Sequence, residues 1–402
     1  RRLRLRLYLL SFIDEFGPVY AVFTLLFNDN GISTAQVSWV FVTWGVVAFF
    51  LEVPSGMLAD QVDRRRLLAA AFGLKAGGLV VWLLWPTFTG ALVGAVLWAV
   101  HDALASGAWE AMIYDQLAAT GNASVYERVM ARSSQFSHLG VATSTVLGAG
   151  LLGLGVGLAP LGWITVGAVG ITVLLVLLLP DTRTASFDDR KAAEGRDSEP
   201  DESTSVGQSL GSVLAGPEIR RLLILGAMLE GLFLIDEYLP LSTRVRGGSD
   251  AAAPVIYLTV WLGLLAGGEL VVRRPGRSGK VMGSAIVASM AVAGLALISR
   301  AVWPLALVAV GYAFLEAARI ASDARLQERT PDAVRATVSS VRGFASALVS
   351  TVMLALIGVM SDGDDPTPGL FVLAGALAAT GVLLVRWLPT TKPTGPQVDA
   401  TG

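Results

Sequence analysis

The sequence predicts an all-α membrane protein whose twelve transmembrane helices form two pseudo-symmetric six-helix halves. Three observations lead there. Of the 402 residues, 53% are hydrophobic and 15% charged, against roughly 25% charged in soluble domains, and mean hydropathy is +0.63. At roughly 20 apolar residues per crossing, the chain has room for about a dozen spans. A polar segment from Asp181 to Gly216 interrupts the apolar runs midway, and polar residues on its two sides recur in matched order. The lack of cysteine excludes disulfides and thiolate chemistry. The net charge of −2 selects no partner by itself, and no nucleic-acid binding is expected.

In chain order, apolar runs place spans at 7–27, 36–58, 67–85, 88–116, 128–153, 160–180, 219–243, 253–272, 281–299, 304–327, 335–360 and 369–388. The first six make an N-terminal half (1–180), followed by a linker (181–216), a C-terminal half (217–388) and a tail (389–402). The basic start, Arg1 to Arg6, runs into an apolar stretch long enough to span and without a small-residue cleavage site, so it reads as a first span rather than a signal peptide. Of the 30 lysines and arginines, 25 fall at the termini, in the linker and in the connections on the same side. The opposite connections hold only Arg244, Arg246 and Arg300, while Lys75 and Arg319 lie inside spans. This bias places both termini in the cytoplasm, and the membrane is expected to be a bacterial cytoplasmic membrane.

The linker is rich in Asp, Glu, Arg, Ser and Gly, the composition of a solvated connector. Across it, Asp115 is echoed by Asp323, Arg128 by Arg335, Ser133-Ser134 by Ser339-Ser340 and Ser144-Thr145 by Ser350-Thr351. Parallel six-span repeats are a recurring plan of secondary transporters.

Two further stretches carry chemistry. Ile13-Asp14-Glu15-Phe16-Gly17-Pro18 and Ile235-Asp236-Glu237-Tyr238-Leu239-Pro240 each place two carboxylates and a proline inside an apolar run. Proline lacks the amide that would bond the carbonyl four residues back, so Pro18 and Pro240 are expected to break their helices and free the carbonyls of Asp14 and Asp236. Counted at about 1.5 Å per residue, both pairs lie ~12 Å into the membrane. Asp102, Glu316 and Arg319 share that depth. An ionisable group there needs a partner or a task. Glu316 and Arg319, at i and i+3, can neutralise each other. Lys75 and His138, single residues without a motif, read as packing or snorkelling groups.

The connection after span two reads Gly56-Met57-Leu58-Ala59-Asp60-Gln61-Val62-Asp63-Arg64-Arg65-Arg66. This resembles the G-x-L-A-D-R-x-G-R-[RK] motif of the major facilitator superfamily, at the place where that family carries it. The resemblance covers the whole chain through twelve spans and two similar halves. Gln61 and Asp63 depart from the motif, and the second-half counterpart, Gly268 to Arg277, has Val272 in place of the aspartate. The resemblance implies that Gly56, Asp60, Arg64 and Arg65 belong to a conformational gate that charge-pairs on the cytoplasmic side in the outward-open state. The glycine-and-proline motif of family antiporters is missing: Gly140, Gly148 and Gly150 occur without proline and read as helix-packing glycines. The run Gly148 to Gly153 also matches G-x-G-x-x-G, but inside a span, where no dinucleotide phosphate could reach it. Where family drug antiporters carry an arginine in span four, this chain has His101-Asp102.

The expected function is proton-coupled secondary transport by alternating access, exporting a cationic or amphiphilic small molecule. Asp14, Glu15, Asp236, Glu237, Asp102, Glu316 and Arg319 are the candidate substrate- and proton-binding groups, with Asp14 and Asp236 favoured within their pairs. Phe16, Tyr20, Trp44, Tyr238, Tyr257 and Trp261 are candidates for aromatic and cation–π contacts. A metal-cation carrier of the same fold, using freed carbonyls and carboxylates, is the alternative within transport. A transporter-like receptor or accessory protein is the alternative outside it. No nucleophile–base pair or metal-ligand cluster suggests an enzyme. No cofactor is expected, with the proton gradient as energy source, and partners should be substrate, protons and membrane lipid around a monomer.

Overall fold

The computed structural model describes residues 2–122, 125–180, 216–273, 278–331 and 334–388. The linker expected at 181–216 lies outside these apart from Gly216, as does the tail after Leu388. Helices α1 (Arg2–Asp14), α2 (Phe23–Asp29), α3 (Thr34–Gln61), α4 (Arg64–Leu84), α5 (Phe88–Ala118), α6 (Tyr126–Gly153) and α7 (Leu158–Leu177) build the first half. The second half contains α8 (Pro217–Gly231), α9 (Ile235–Val245), α10 (Ala252–Arg273), α11 (Gly279–Ile298), a 3-10 turn at Trp303–Leu307, α12 (Val308–Arg329), α13 (Arg335–Met360) and α14 (Thr367–Trp387). Ten of the helical segments are long and apolar enough to cross a membrane. The first and seventh crossings are each broken in two, which completes the twelve.

Local chemistry sets the helix starts. Ser33 opens α3 with a capping box, its hydroxyl accepting from the Gln36 amide while the Gln36 side chain accepts from the Ser33 amide. Asp63, one of the two departures from the family motif, caps α4 by accepting from the amides of Arg65 (2.8 Å) and Arg66 (3.2 Å). Thr87 and Ser278 cap α5 and α11 in the same way.

The two breaks correct the expectation of continuous spans at 7–27 and 219–243. Between α1 and α2 the chain turns irregularly through residues 15–22, where Gly17 and Pro18 cannot sustain a helix. Its backbone is satisfied by neighbours, as membrane burial requires. The Val19 amide donates to Thr165 Oγ1, and the Pro18 carbonyl packs on Gly148 of α6, where a Cβ would stand 2.9 Å away. In the second half the break lies at 232–234, before the Asp-Glu pair, and α9 runs through Pro240 without interruption. Pro240 is therefore not a helix break. There the Ile235 amide donates to Tyr312 Oη (3.0 Å) and the Gly231 carbonyl accepts from Ser350 Oγ (2.9 Å).

The position of the breaks also changes the internal register. Gly31 and Gly247, both at positive φ, end the two broken crossings in equivalent turns 216 residues apart. The Asp-Glu-x-x-Pro motifs are 222 apart, so they occupy opposite sides of their breaks. At the structural separation, Asp14 corresponds to Glu230. The packing agrees: Gly140 of α6 lies against the Phe12 carbonyl and the Glu15 carbonyl carbon, while Gly231 lies against the Ser346 carbonyl of α13.

The halves meet where α3 packs on α13, α6 on α10 and α2 on α9. On the face opposite the termini they are clasped. Arg244 donates to Asp29 (2.6 Å) and Asn28 (3.1 Å), Thr34 Oγ1 donates to the Asp364 carbonyl (2.8 Å), and Ser38 Oγ lies 2.7 Å from Tyr238 Oη. Toward the face of the termini, the ion pairs between described residues stay within a half: Arg64 with Asp115, Arg329 with Glu218, and Arg342 with Asp323 and Glu230.

Candidate functional site

Between the halves, beneath the clasp, lies a cavity of about 190 Å³ lined by Tyr20, Phe23, Val40, Phe41, Trp44, Trp82, Ala95, Trp98, Glu237 and Tyr257. Its N-terminal wall is an aromatic stack. Phe23 lies parallel to Trp82 at 5.6 Å, Trp82 stacks on Trp98 at 5.3 Å, and Trp98 meets the edge of Tyr20 at 5.5 Å. The irregular chain at 15–22 and the start of α2 deliver Tyr20 and Phe23 to this wall. Glu237 enters from the first turn of α9, the only carboxylate in the lining among the described residues. Among the described residues its carboxylate has no hydrogen-bonding or ion-pair partner.

Behind the aromatic wall sits a cation that the sequence reading set aside. Lys75, from the middle of α4, is 5% exposed. Its Nζ stands 3.2 Å from Asp14 Oδ1, 5.3 Å from the Tyr20 ring centre and 5.5 Å from that of Trp98. It is a satisfied packing group rather than a snorkelling one, because its ammonium is buried and neutralised by Asp14. Asp14, at the last position of α1, is thus paired with a cation, which the preference for it as a free binding group had not included. The Glu15 side chain has no hydrogen bond among the described residues. Asp102 of α5 accepts from Trp44 Nε1 at 2.8 Å, which fixes that indole in the cavity wall.

The other expected site residues divide similarly. Asp236 does not line the cavity, and its Oδ1 is buried without a hydrogen-bonding partner. Tyr238 is fully buried, and its hydroxyl pairs with Ser38, so it closes the clasp rather than contacting the cavity. Phe16 packs on Phe12 at 5.9 Å and lies outside the lining. Of the remaining aromatic candidates, Trp44 and Tyr257 line the cavity, and Trp261 lies behind Tyr257 at 6.4 Å and against His138 at 5.9 Å. Glu316 and Arg319 form a two-bond pair, both at 2.8 Å, as their spacing suggested.

Among the gate residues, Arg64 pairs with Asp115 of α5, and Arg65 donates to the Leu179 carbonyl (2.8 Å) after the end of α7. Gly56 and Asp60 fall on turns of α3 whose side chains lie outside the described residues.

Sequence reasoning missed Glu230 and Arg342 as well as Lys75. Glu230 stands one residue before the end of α8 and Asp14 at the end of α1, and each is met by a cation from a neighbouring helix, at 3.2 Å in both cases. Aligning the two turn glycines, rather than the two Asp-Glu-Pro motifs, would have found the match.

The sequence profile of the Major Facilitator Superfamily matches residues 7–354. No curated protein matches the chain at a significant level. Among solved structures, the nucleoside transporter NupG superposes with a TM-score of 0.72 at 16% identity, covering 96% of this chain and 99% of that one. A D-xylose-proton symporter gives 0.70 at 13% identity, covering 97% and 98%. A bacterial homologue of the human lysosomal transporter Spinster, in an inward-facing and occupied conformation, gives 0.62 at 18% identity, covering 96% and 95%.

Proposed function

Because the chain belongs to the major facilitator superfamily, we propose that this secondary transporter exchanges protons against a cationic or amphiphilic small molecule, exporting it by alternating access. The protein is a transporter and not an enzyme. The observation that carries the reading is the aromatic cavity between the halves with Glu237 as the one carboxylate among the described residues that line it. An ammonium or similar cation is attracted to aromatic faces, more strongly when desolvated, and the carboxylate supplies the opposite charge. Glu237 can hold a proton or face a cation, and the competition between the two is what couples opposite fluxes.

The wider charge balance supports a positive cargo. Among the described residues around the cavity, Asp14, Glu15, Asp102, Asp236 and Glu237 stand against Lys75, which is already paired. The aromatic lining favours an organic cation over a metal ion, which would need a shell of oxygen ligands. Among the described residues no group of three or more His, Asp or Glu is placed to hold a metal.

With both termini in the cytoplasm of a bacterial cell, the clasped face is external and the conformation is inward-facing. The charge pairs that Arg64 and Arg342 make with described residues are then held within their own halves, and the family resemblance assigns Asp60 and Arg64 to the gate that joins the halves when the protein faces outward. The protein works as a monomer on this reading, with the proton gradient as its energy source. Reconstitution into vesicles with a pH-sensitive dye tests the proposal: addition of an aromatic cation should move protons in the opposite direction, and a carrier-like receptor without transport would move none.

A further inference from the structure

A second cavity, of about 170 Å³, lies between the start of α1 and the end of α7 and is lined by Arg6, Leu10, Leu175, Leu178 and Leu179. It is remote from the aromatic site. Arg6 is one helical turn from the start of α1, ~6 Å along the axis, and Leu178 and Leu179 directly follow α7, so the crevice sits at the membrane surface on the face of the termini. Its surroundings are lipid-facing: Leu5, Leu9, Leu174 and Leu178 are exposed, Leu178 by 71%.

The wall of this crevice is built rather than accidental. Arg65 Nη1 donates to the carbonyls of Leu179 (2.8 Å) and Leu177 (3.4 Å), and Gln116 Nε2 donates to that of Pro180 (2.7 Å). These bonds hold the end of α7 in place, and they engage Arg65 on the protein side. Arg6 is exposed, and its guanidinium has no partner among the described residues.

The geometry points to a binding site for an anionic phospholipid, with the headgroup phosphate on Arg6 and the upper acyl chain among the four leucines. A guanidinium meets a phosphate with two parallel hydrogen bonds. Among the described residues no acidic side chain lines the crevice to receive the ammonium of a zwitterionic headgroup, which favours a net negative lipid. The site does not depend on which molecule the aromatic cavity carries.

The test is the thermal unfolding midpoint of the full chain in detergent, titrated with phosphatidylglycerol or phosphatidylcholine. Phosphatidylglycerol should raise the midpoint and phosphatidylcholine should not. Arg6→Gln should weaken the apparent affinity about fivefold, the effect of one interfacial charge. Leu178→Trp, which fills the crevice and keeps the arginine, should reduce the shift as well. Arg386→Gln, at the end of α14 on the same face, should leave it unchanged. Equal shifts from both lipids, or equal losses in Arg6→Gln and Arg386→Gln, would mean diffuse surface attraction and overturn the site. A lipid shift that emerges only after residues 185–210 are replaced by Gly/Ser would assign the crevice to the chain's own linker and also overturn it.

Discussion

Lys75 Nζ and Asp14 Oδ1 lie 3.2 Å apart inside the membrane, joining the middle of α4 to the last residue of α1 just before the first crossing unwinds. The pair fixes where the irregular segment begins and therefore where Tyr20 and Phe23 reach the cavity. Both side chains are largely buried. Removing one partner leaves an uncompensated charge, which costs about 3–5 kcal/mol, whereas replacing both is far milder. Asp14→Asn and Lys75→Met should each lower the unfolding midpoint of the purified protein strongly, and the double variant should recover most of the loss. Additive losses in the double variant would show that the two groups do not act as a pair.

The clasp on the face opposite the termini should set the conformational equilibrium. Arg244 and Asp29 are partly solvent-exposed, so the bridge is a modest contribution. Arg244→Gln should raise the outward-open population by roughly two- to fivefold, the effect of up to about 1 kcal/mol. The chain has no cysteine, so a single Phe41→Cys variant reports directly. Its labelling from the outside by a membrane-impermeant maleimide should accelerate when Arg244 is replaced, and Ser38→Ala should act in the same direction.

Glycines in α6 separate by position. A Cβ at Gly140 would collide with the Phe12 carbonyl, while at Gly150 nothing lies within 4 Å. Gly140→Ala should cost about 1–3 kcal/mol through forced separation of α1 and α6, and Gly150→Ala should be neutral or slightly stabilising. Thermal unfolding of the two variants side by side checks this.

The all-helical membrane fold was legible in hydropathy and composition. What sequence spacing could not decide was register. Asp14-Glu15-Pro18 and Asp236-Glu237-Pro240 look like copies, yet a proline breaks a helix only where the surroundings satisfy the freed backbone. Thr165 and Gly148 accommodate that at Pro18, whereas at Pro240 the helix carries on and the break falls at 232–234, beside Tyr312 and Ser350. The partner of Lys75 was hidden for a related reason. It lies 61 positions away, and only tertiary packing shows that a lone lysine in a span is neutralised rather than snorkelling.

The motif loop supplies a gate prediction. Asp60→Asn should preserve insertion and folding but slow transport, since the charge pairing that biases the conformational equilibrium is weakened. Initial rates in vesicles at matched protein density measure it, and an undiminished rate would remove Asp60 from the gate.

The account rests on Glu237 as the group that holds either a proton or the cation. The direct measurement is proton movement across vesicles reconstituted with wild type or Glu237→Gln, driven by aromatic monocations such as benzyltrimethylammonium. Wild type should move protons against the cation. The variant should keep its unfolding midpoint, because the Glu237 carboxylate satisfies no other group among the described residues, and lose substrate-driven proton movement. Coupled proton movement at the wild-type rate in Glu237→Gln would contradict the account.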